Sequence, residues 1–306
     1  MNRPVIQALP SSVRDAARLA SLLDTTMQAI DVHTFPDGEL RITVGAAAAT
    51  TIVYASLDQP NEKLLVLLFA AEALRRGGAK RLVLLAPYLC YMRQDTAFHE
   101  GEAISQKVIG RMIADAFDRV ITVDAHLHRT KHIEDVFVGR EAEDLSAMPA
   151  IAGFLAAKGL AAGAVVVGPD AESEPWVRDL ARRLKADHAV ARKLRHGDRT
   201  VEMTFADPAL FKGRPAILVD DIVSSGGTLI ACTEALLAAG AKSVDAVITH
   251  ALFPPDMIAS FKAHGLSSIY STHSVPHPTN AIELDAMFAA ALRKEFAATG
   301  AQGSSS

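Results

Sequence analysis

The feature that most constrains the fold of this chain is a repeated alternation of short apolar runs with longer Ala/Leu-rich stretches. The apolar runs are unbroken and rich in β-branched side chains, as in strands that are buried on both faces. The stretches between them have helical length. This alternation predicts an α/β fold of mainly parallel sheets flanked by helices. The predicted strands are TTIVYASL, KRLVLLAPYL, RVITVDAH, GAVVVGPD, RPAILVDDIV and SVDAVITHALF, and the predicted helices are KLLVLLFAAEALRRGG, AISQKVIGRMIADAF, AIAGFLAAKGL, EPWVRDLARRLKA and TLIACTEALLAAGA.

Two stretches of the chain resemble each other without gaps. EALRRGGAKRL begins at Glu72, EALLAAGAKSV begins at Glu234, and six of their eleven positions are identical. Each reads as a helix end, a glycine stop and the start of a strand. Internal duplication accounts for the match, although such junctions also arise independently in α/β proteins. Because 306 residues suffice for two cores, we predict similar α/β domains at 1–148 and 149–295, and a disordered tail at 296–306. A return of the chain's end onto the first half stays open as an alternative.

Composition narrows the class of function. The formal net charge is −4, which gives no basic surface of the kind that tracks nucleic acid. The N-terminal stretch MNRPVIQALPSS has no continuous apolar core of signal-peptide length, and no segment reaches the length of a membrane helix. Cys90 and Cys232 lie far apart in apolar surroundings, as core thiols do in a reducing compartment. We therefore expect a cytoplasmic protein that binds neither nucleic acid nor membranes.

The segment ILVDDIVSSGGTL, residues 217–229, indicates an anion site. Its strand would deliver Asp220 and Asp221 to the carboxyl edge of a parallel sheet, where ligands bind in open α/β folds. Backbone N–H groups of the following loop and the N-terminus of the next helix suit a phosphate, while carboxylates can accept hydrogen bonds from sugar hydroxyls. The absence of lysine excludes the GxxxxGK[ST] nucleotide loop. The segment therefore predicts a sugar-phosphate site, and its loop residues are Ser224, Ser225, Gly226, Gly227 and Thr228.

This loop resembles the ribose-5-phosphate loop of type I phosphoribosyltransferases and their relatives. Further segments occur in the order seen in ribose-phosphate pyrophosphokinases, over roughly residues 30–285, and the K-x-R form at Lys193 and Arg195 is similar to that of the archaeal-type branch. The resemblance implies two phosphoribosyltransferase-like domains. It also implies the transfer of pyrophosphate from MgATP to ribose 5-phosphate, which gives AMP and 5-phosphoribosyl 1-pyrophosphate (PRPP). These segments are FPDGELRI (35–42), APYLCYMRQD (86–95), GEAISQKVIGRMI (101–113), VDAHLHRT (123–130), VVGPDAESE (166–174) and ARKLRHGD (191–198).

In the first half, the resemblance implies a set of ATP contacts. Phe35 would stack on adenine, while Asp37 and Glu39 would bond to the base; composition alone makes FPDGE a surface turn. In the family this turn reaches a neighbouring subunit, which implies a dimer or a hexamer. Arg93 and Gln94 would contact ATP, and Asp95 and His99 are further candidates. His126 would serve both ATP and Mg²⁺, although Mg²⁺ prefers oxygen ligands.

In the second half, the resemblance implies a metal ligand and a catalytic loop. Asp170 would serve the metal, but Glu172 and Ser173 stand where the family usually has small residues. Lys193 and Arg195 would neutralise charge on the transferring phosphoryl group; from composition alone they read as a solvated basic face. Two alternatives stay open: a non-catalytic regulatory homologue, and a phosphoribosyltransferase that consumes PRPP.

Overall fold

The computed structural model describes residues 3–196 and 200–297, with only the backbone at 194–196 and 200–202. Within the two described ranges, no helix combines the length and hydrophobicity that crossing a bilayer requires. The strands are β1 (Val5–Ala8), β2 (Met27–Ala29), β3 (Asp31–Thr34), β4 (Leu40–Thr43), β5 (Thr50–Tyr54), β6 (Arg81–Ala86), β7 (Arg119–Val123), β8 (Glu141–Leu145), β9 (Val165–Gly168), β10 (Asp187–Val190), β11 (Arg192–His196), β12 (Thr200–Thr204), β13 (Pro215–Val223), β14 (Ser243–Ala251), β15 (Leu266–Thr272) and β16 (Asn280–Ile282). The helices are α1 (Val13–Leu22), α2 (Pro60–Arg76), α3 (Ser105–Ala116), α4 (Met148–Ala157), α5 (Glu174–Leu184), α6 (Gly227–Ala238), α7 (Met257–Ala263) and α8 (Asp285–Ala297).

The chain divides by its internal contacts into two units. The first runs to Leu145 and resumes at Leu284, and the second is Ser146–Glu283. Residues 284–295, which the sequence-based boundaries assign to the second domain, therefore cluster with the first unit, and residues 146–148 cluster with the second. Residues 296–297 of the predicted tail belong to α8, and the remainder of that tail lies outside the described residues.

The first unit is built on a parallel sheet of six strands in the order β2-β1-β5-β6-β7-β8. Its central strands are apolar on both faces because helices cover both sides, and β7 is buried along its whole length. Leu64, Leu67 and Leu74 of α2 contribute one side of this core. An antiparallel hairpin, β3–β4, lies between β2 and β5 along the chain.

The second unit repeats this plan. Its sheet has the order β10-β9-β13-β14-β15-β16, and the antiparallel hairpin β11–β12 is inserted at the equivalent place. The two gapless repeats noted in the sequence are the α2–β6 and α6–β14 junctions. Gly78 (φ +103°) and Gly240 (φ +91°) stop these helices in the left-handed conformation that favours glycine. Two similar α/β units with mainly parallel sheets confirm the predicted fold class.

A buried ion network holds α8 to the first unit. Arg119, at the start of β7, is 2% exposed and donates to Glu295 at 2.9 Å and to Glu143 at 2.6 Å. Arg81 donates to the same Glu295 at 2.7 Å. Burial alone would raise the pKa of Glu295, but the hydrogen bonds and charges of Arg81 and Arg119 lower it. Buried charges of this kind persist only when they are paired, so the network fixes α8 in register.

Candidate active site

The end of β13 places the two adjacent aspartates at the carboxyl edge of the second sheet. Asp221 is 4% exposed, and its side chain accepts a hydrogen bond from the backbone N–H of Ile222 at 2.8 Å. The Asp220 side chain accepts from the N–H of Asp221 at 3.0 Å. The strand end is held by Leu252, whose N–H donates to the carbonyl of Val223 at 2.9 Å. The carboxylates therefore stand on a fixed strand rather than on a free loop.

The loop after β13 forms a small cavity at the N-terminus of α6. Gly226 takes φ +75°, and α6 begins at the next residue. An ideal Cβ on Gly226 would lie 2.4 Å from the Phe261 ring, so both backbone conformation and space require glycine there. Such a cavity of about 70 Å³ beside a helix N-terminus suits an anionic group. Its lining residues are Asp220, Ile222, Val223, Ser224, Ser225, Gly226, Thr228 and Leu229.

Electrostatics show that the acidic residues of the second unit share one site. Burial, then repulsion from Asp221 and Asp170, raise the pKa of Asp220 well above its ordinary value. Burial likewise raises the pKa of the Cys232 thiol to about 12, the charges of Asp220 and Asp170 add to this, and Lys193 opposes it. Lys193 on β11 is exposed, whereas the Arg195 side chain lies outside the described residues. The charges of Asp170, Asp220 and Lys193 therefore influence one another's surroundings within the second unit.

The turn after β9 is held by Asp170 itself. One Asp170 carboxylate oxygen accepts from the N–H groups of Glu172 at 3.1 Å and Ser173 at 3.2 Å. The Ser173 hydroxyl, 1% exposed as a residue, donates to the Asp170 carbonyl at 2.5 Å. Glu174 pairs with Arg178 at 2.6 Å, one helical turn along α5. The departure at Glu172 and Ser173 therefore gives a self-capped turn. Sequence reasoning missed this turn, although D-x-x-S before a helix is a capping signal.

In the first unit, the FPDGE turn connects β3 to β4. Phe35 N–H donates to the Glu39 carbonyl at 2.8 Å, and Gly38 closes the turn at φ +90°. The Phe35 ring is 38% exposed, with the His33 ring edge-on at 4.8 Å and the Arg41 guanidinium 6.0 Å from its centroid. Asp37 and Glu39 are exposed. The hairpin therefore presents an aromatic face and two carboxylates to solvent.

The other predicted ATP contacts follow β6 and β7, two adjacent parallel strands of the first sheet. Arg93 is exposed and Gln94 is half-buried. Gln94 is held by a Ser105 hydroxyl contact at 3.2 Å and a bond from Gln106 N–H at 3.1 Å. His126 is half-buried, and its ring lies edge-on to that of His128 at 4.5 Å. These side chains share the carboxyl edge of this sheet.

Asp95, a weaker candidate for an ATP contact, is buried in a pairing within the protein. Its side chain has no solvent exposure and accepts from the Arg129 backbone N–H at 2.6 Å and guanidinium at 3.1 Å. Burial alone would raise the pKa of Asp95, but the bonds from Arg129 lower it. Asp95 therefore ties the MRQD segment to the loop after β7. The pairing joins residues 34 apart, which no local pattern reveals.

Comparison with known protein families supports both halves of this description. Residues 5–116 match the family described as the N-terminal domain of ribose phosphate pyrophosphokinase, and residues 144–259 match the phosphoribosyl transferase domain. The phosphoribosyl transferase match includes Asp170, Lys193 and the loop after β13.

Individual proteins match over nearly the whole chain. A ribose-phosphate pyrophosphokinase of Methanopyrus kandleri is 31% identical, over 90% of this chain and 93% of its own. Ribose-phosphate pyrophosphokinase 2 of Archaeoglobus fulgidus is 32% identical, over 87% of this chain and 92% of its own. The crystal structure of phosphoribosylpyrophosphate synthetase from Mycobacterium smegmatis superposes with a TM-score of 0.81 at 24% identity, covering 96% of this chain and 99% of that one. The chain belongs to the ribose-phosphate pyrophosphokinase family.

Proposed function

We propose that this chain is a ribose-phosphate pyrophosphokinase, which transfers pyrophosphate from MgATP to the anomeric hydroxyl of ribose 5-phosphate. The observation that carries the proposal is the cavity at the N-terminus of α6, beside Asp220 and Asp221. It offers backbone donors for the 5-phosphate and carboxylates for the ribose hydroxyls. The named relatives favour synthesis of PRPP over a phosphoribosyltransferase that consumes it or a non-catalytic homologue.

Roles follow for the charged residues around this cavity. Lys193 and Arg195, on the hairpin β11–β12, would neutralise the charge on the transferring phosphoryl group and on the departing AMP. In-line positioning of ATP and the sugar supplies the rest of the rate enhancement. ATP would be held by residues of the first unit, namely Phe35, Asp37, Glu39, Arg93, Gln94 and His126.

The carboxylates fit Mg²⁺ as the cofactor. Asp220 is difficult to ionise because it is buried beside Asp221 and Asp170, and a divalent cation relieves that repulsion. Oxygen ligands also match the preference of Mg²⁺. Asp170 would hold the ion in the second unit, and His126 is the candidate ligand of the first unit. The bound ion supplies charge neutralisation at those phosphates and favours ionisation of the attacking hydroxyl.

The test is an incubation of the purified protein with Mg²⁺, ATP and ribose 5-phosphate, followed by chromatography. We expect AMP and PRPP in equal amounts, and only when both substrates are present. Lys193→Ala should lower kcat about 100-fold or more while ATP affinity changes little. Lys242→Ala is the matched control, because this exposed lysine lies just before β14, at the opposite edge of the same sheet. Release of ADP instead of AMP would overturn the proposal.

A homo-oligomer, dimer or hexamer, forms part of the proposal. The exposed FPDGE turn would complete the ATP site of a neighbouring subunit. Phe35→Ala and Lys193→Ala proteins should each be inactive. When the two are mixed, dissociated and reassembled, part of the activity should return, because some sites then combine an intact Phe35 from one subunit with an intact Lys193 from the other. Light scattering measures the oligomer in parallel. A monomer, or a mixture that stays inactive, would contradict this part.

A further inference from the structure

A stack of three aromatic rings lies behind the sugar-phosphate loop. The rings of Phe253 and Phe261 are edge-on with centroids 5.1 Å apart, and the rings of Phe253 and His277 are edge-on at 4.4 Å. Phe253 and Phe261 are 2% and 1% exposed. The three rings are outside the set of described residues that line the loop cavity. Any influence on a ligand must therefore pass through the loop.

The stack contacts the loop at its most constrained residue. The Phe261 ring fills the space next to Gly226, where an added Cβ would lie 2.4 Å from one ring carbon and 2.6 Å from another. At the other end of the loop, Leu252 N–H binds the Val223 carbonyl at 2.9 Å, and Phe253 is the next residue. Phe261 thus packs directly against the loop, and Phe253 follows the residue whose N–H anchors its other end. Through these two points the stack constrains the loop backbone.

His277 fixes Phe253 through a defined tautomer. Its Nε2 lies 3.0 Å from the Phe253 carbonyl oxygen, which can only accept, so Nε2 carries the proton. Nδ1 is then the acceptor, for the Thr279 hydroxyl at 2.7 Å and the Thr279 N–H at 3.3 Å. The backbone N–H of His277 donates to Asn280 at 2.8 Å. Each polar atom of the His277 ring therefore has one specified partner.

We propose that His277, Phe253 and Phe261 are positioning residues that hold the sugar-phosphate loop in its binding geometry. This inference rests on the proposed function, because it assigns the stack to the ribose 5-phosphate half of the reaction. It predicts a specific kinetic signature. Loosening the stack should weaken ribose 5-phosphate binding and leave ATP binding in the other unit unchanged. A purely structural role would lower stability without selecting one substrate.

Phe261→Leu is the first test, with Phe288→Leu as its matched control. Phe288 is 0% exposed and edge-on to Tyr54 at 6.1 Å, but it belongs to the first unit. Both variants lose a buried ring, so both should melt at lower temperature. Only Phe261→Leu should raise the KM for ribose 5-phosphate, by about tenfold, since small displacements of binding groups have large effects. The KM for ATP should stay within about twofold in both, measured below each melting temperature.

A second pair of variants, His277→Gln and His277→Asn, distinguishes the roles of the two ring nitrogens of His277. Glutamine can place an N–H donor near the Nε2 position and keep the bond to the Phe253 carbonyl. Asparagine is too short to do so, and it can replace only the Nδ1 acceptor. We expect His277→Gln to retain a near wild-type KM for ribose 5-phosphate, and His277→Asn to raise it as Phe261→Leu does.

The outcomes separate this inference from the proposed function. A wild-type protein that makes no PRPP and binds no ribose 5-phosphate in calorimetry overturns both. If the wild type makes PRPP, the positioning role of the stack is refuted when Phe261→Leu and Phe288→Leu have the same KM for ribose 5-phosphate. It is refuted equally when His277→Gln and His277→Asn behave alike. If the wild type binds ribose 5-phosphate without turnover, the same comparisons are made on its Kd.

Discussion

Gly226 and Gly227 are neighbours in the sugar-phosphate loop, but the fold requires glycine only at the first. Gly226 has φ +75° and no room for a side chain, whereas a Cβ on Gly227 would meet no atom within 4 Å. Gly226→Ala should therefore lower the free energy of unfolding by about 1–3 kcal/mol through backbone strain and overpacking. Gly227→Ala should cost nothing, because alanine is the better helix former. Denaturant titration checks the pair, and equal losses would contradict the reasoning.

The ionisation of Asp220 makes stability depend on pH and on Mg²⁺. Its pKa is raised by burial and by Asp221 and Asp170, so the stability it contributes is complete below its unfolded pKa of about 3.9. This contribution is lost as pH rises toward the folded pKa. Without divalent cations, we expect the free energy of unfolding to decline as pH rises above about 4, with a shallower slope in Asp220→Asn.

Mg²⁺ should counter this loss, so its stabilising effect should be larger at about pH 8 than at about pH 5. Thermal melts with and without Mg²⁺ measure the effect in wild type, Asp220→Asn and the exposed control Asp256→Asn. If Mg²⁺ raises the melting temperature equally at both pH values, and does so in Asp220→Asn as in the wild type, the ion does not bind at Asp220.

The Asp170 carboxylate caps the turn between β9 and α5. Under the proposed function it also holds the metal, and two substitutions separate these roles. Asp170→Asn keeps an oxygen that can accept from Glu172 and Ser173, but it loses the charge. Asp170→Ala loses both. We expect both variants to lose PRPP synthesis, while only Asp170→Ala loses stability, by about 1 kcal/mol, as for other capping residues. Equal stability of the two variants would show that the cap is unimportant.

The equivalent loops of the two units explain why only one suits a phosphate. In both units the loop precedes a helix through a left-handed residue, Gln59 at φ +48° in the first and Gly226 in the second. In the first unit the Lys63 ammonium binds the Ser56 carbonyl at 2.9 Å and the Asp58 carboxylate at 2.7 Å. The Lys63 ammonium thus pairs with polar groups of the first loop itself, whereas the loop of the second unit encloses a cavity.

Local pattern was enough to predict the acidic edge and the central elements, namely strands β5, β6, β7, β9, β13 and β14 and helices α2 to α6. It did not predict the remaining strands and helices, and it could not supply pairings over long distances. The helix–Gly–strand junctions and the loop after β13 carry their signals within a dozen residues. The Asp95–Arg129 bond and the contact of Phe261 with Gly226 join segments that are far apart in sequence. The residues next to each partner in the sequence carry no pattern that indicates these contacts. The self-capped turn at Asp170 had a local signal, because aspartate is a preferred N-cap residue before a helix. The family resemblance instead implied a metal ligand at this position.

At the scale of the whole molecule, the return of α8 to the first unit decides the domain boundaries. The sequence alone suggested a return of the chain end only as a possibility, because its cause is the buried network of Arg119, Arg81 and Glu295. Helical periodicity in the last segment does not show which sheet it packs against. Apolar residues of α8, Phe288 and Leu292, are fully buried.

Glu295→Ala should therefore destabilise the first unit strongly. It removes the α8 carboxylate that pairs with Arg119, which is 2% exposed and keeps Glu143 and the Ala291 carbonyl as partners. We therefore expect a loss at the lower end of the about 3–5 kcal/mol found for broken buried pairs. Asp115→Asn is the control, because the Arg111–Asp115 pair spans 3.9 Å with both side chains exposed, and such pairs contribute about 0–1 kcal/mol. Denaturant unfolding monitored by hydrogen exchange in β6 and β7 measures both. Similar effects would mean that the network does not hold α8.

The separation of 176 positions between Arg119 and Glu295 also sets an order of events during synthesis. A ribosome that adds about 5–20 residues per second needs roughly 9–35 s to travel from one to the other. In that interval the nascent first unit lacks the helix that covers part of its apolar surface, while Ser146–Glu283 emerges as one continuous stretch. Of the two units, the one that translation starts first is therefore the one it finishes last.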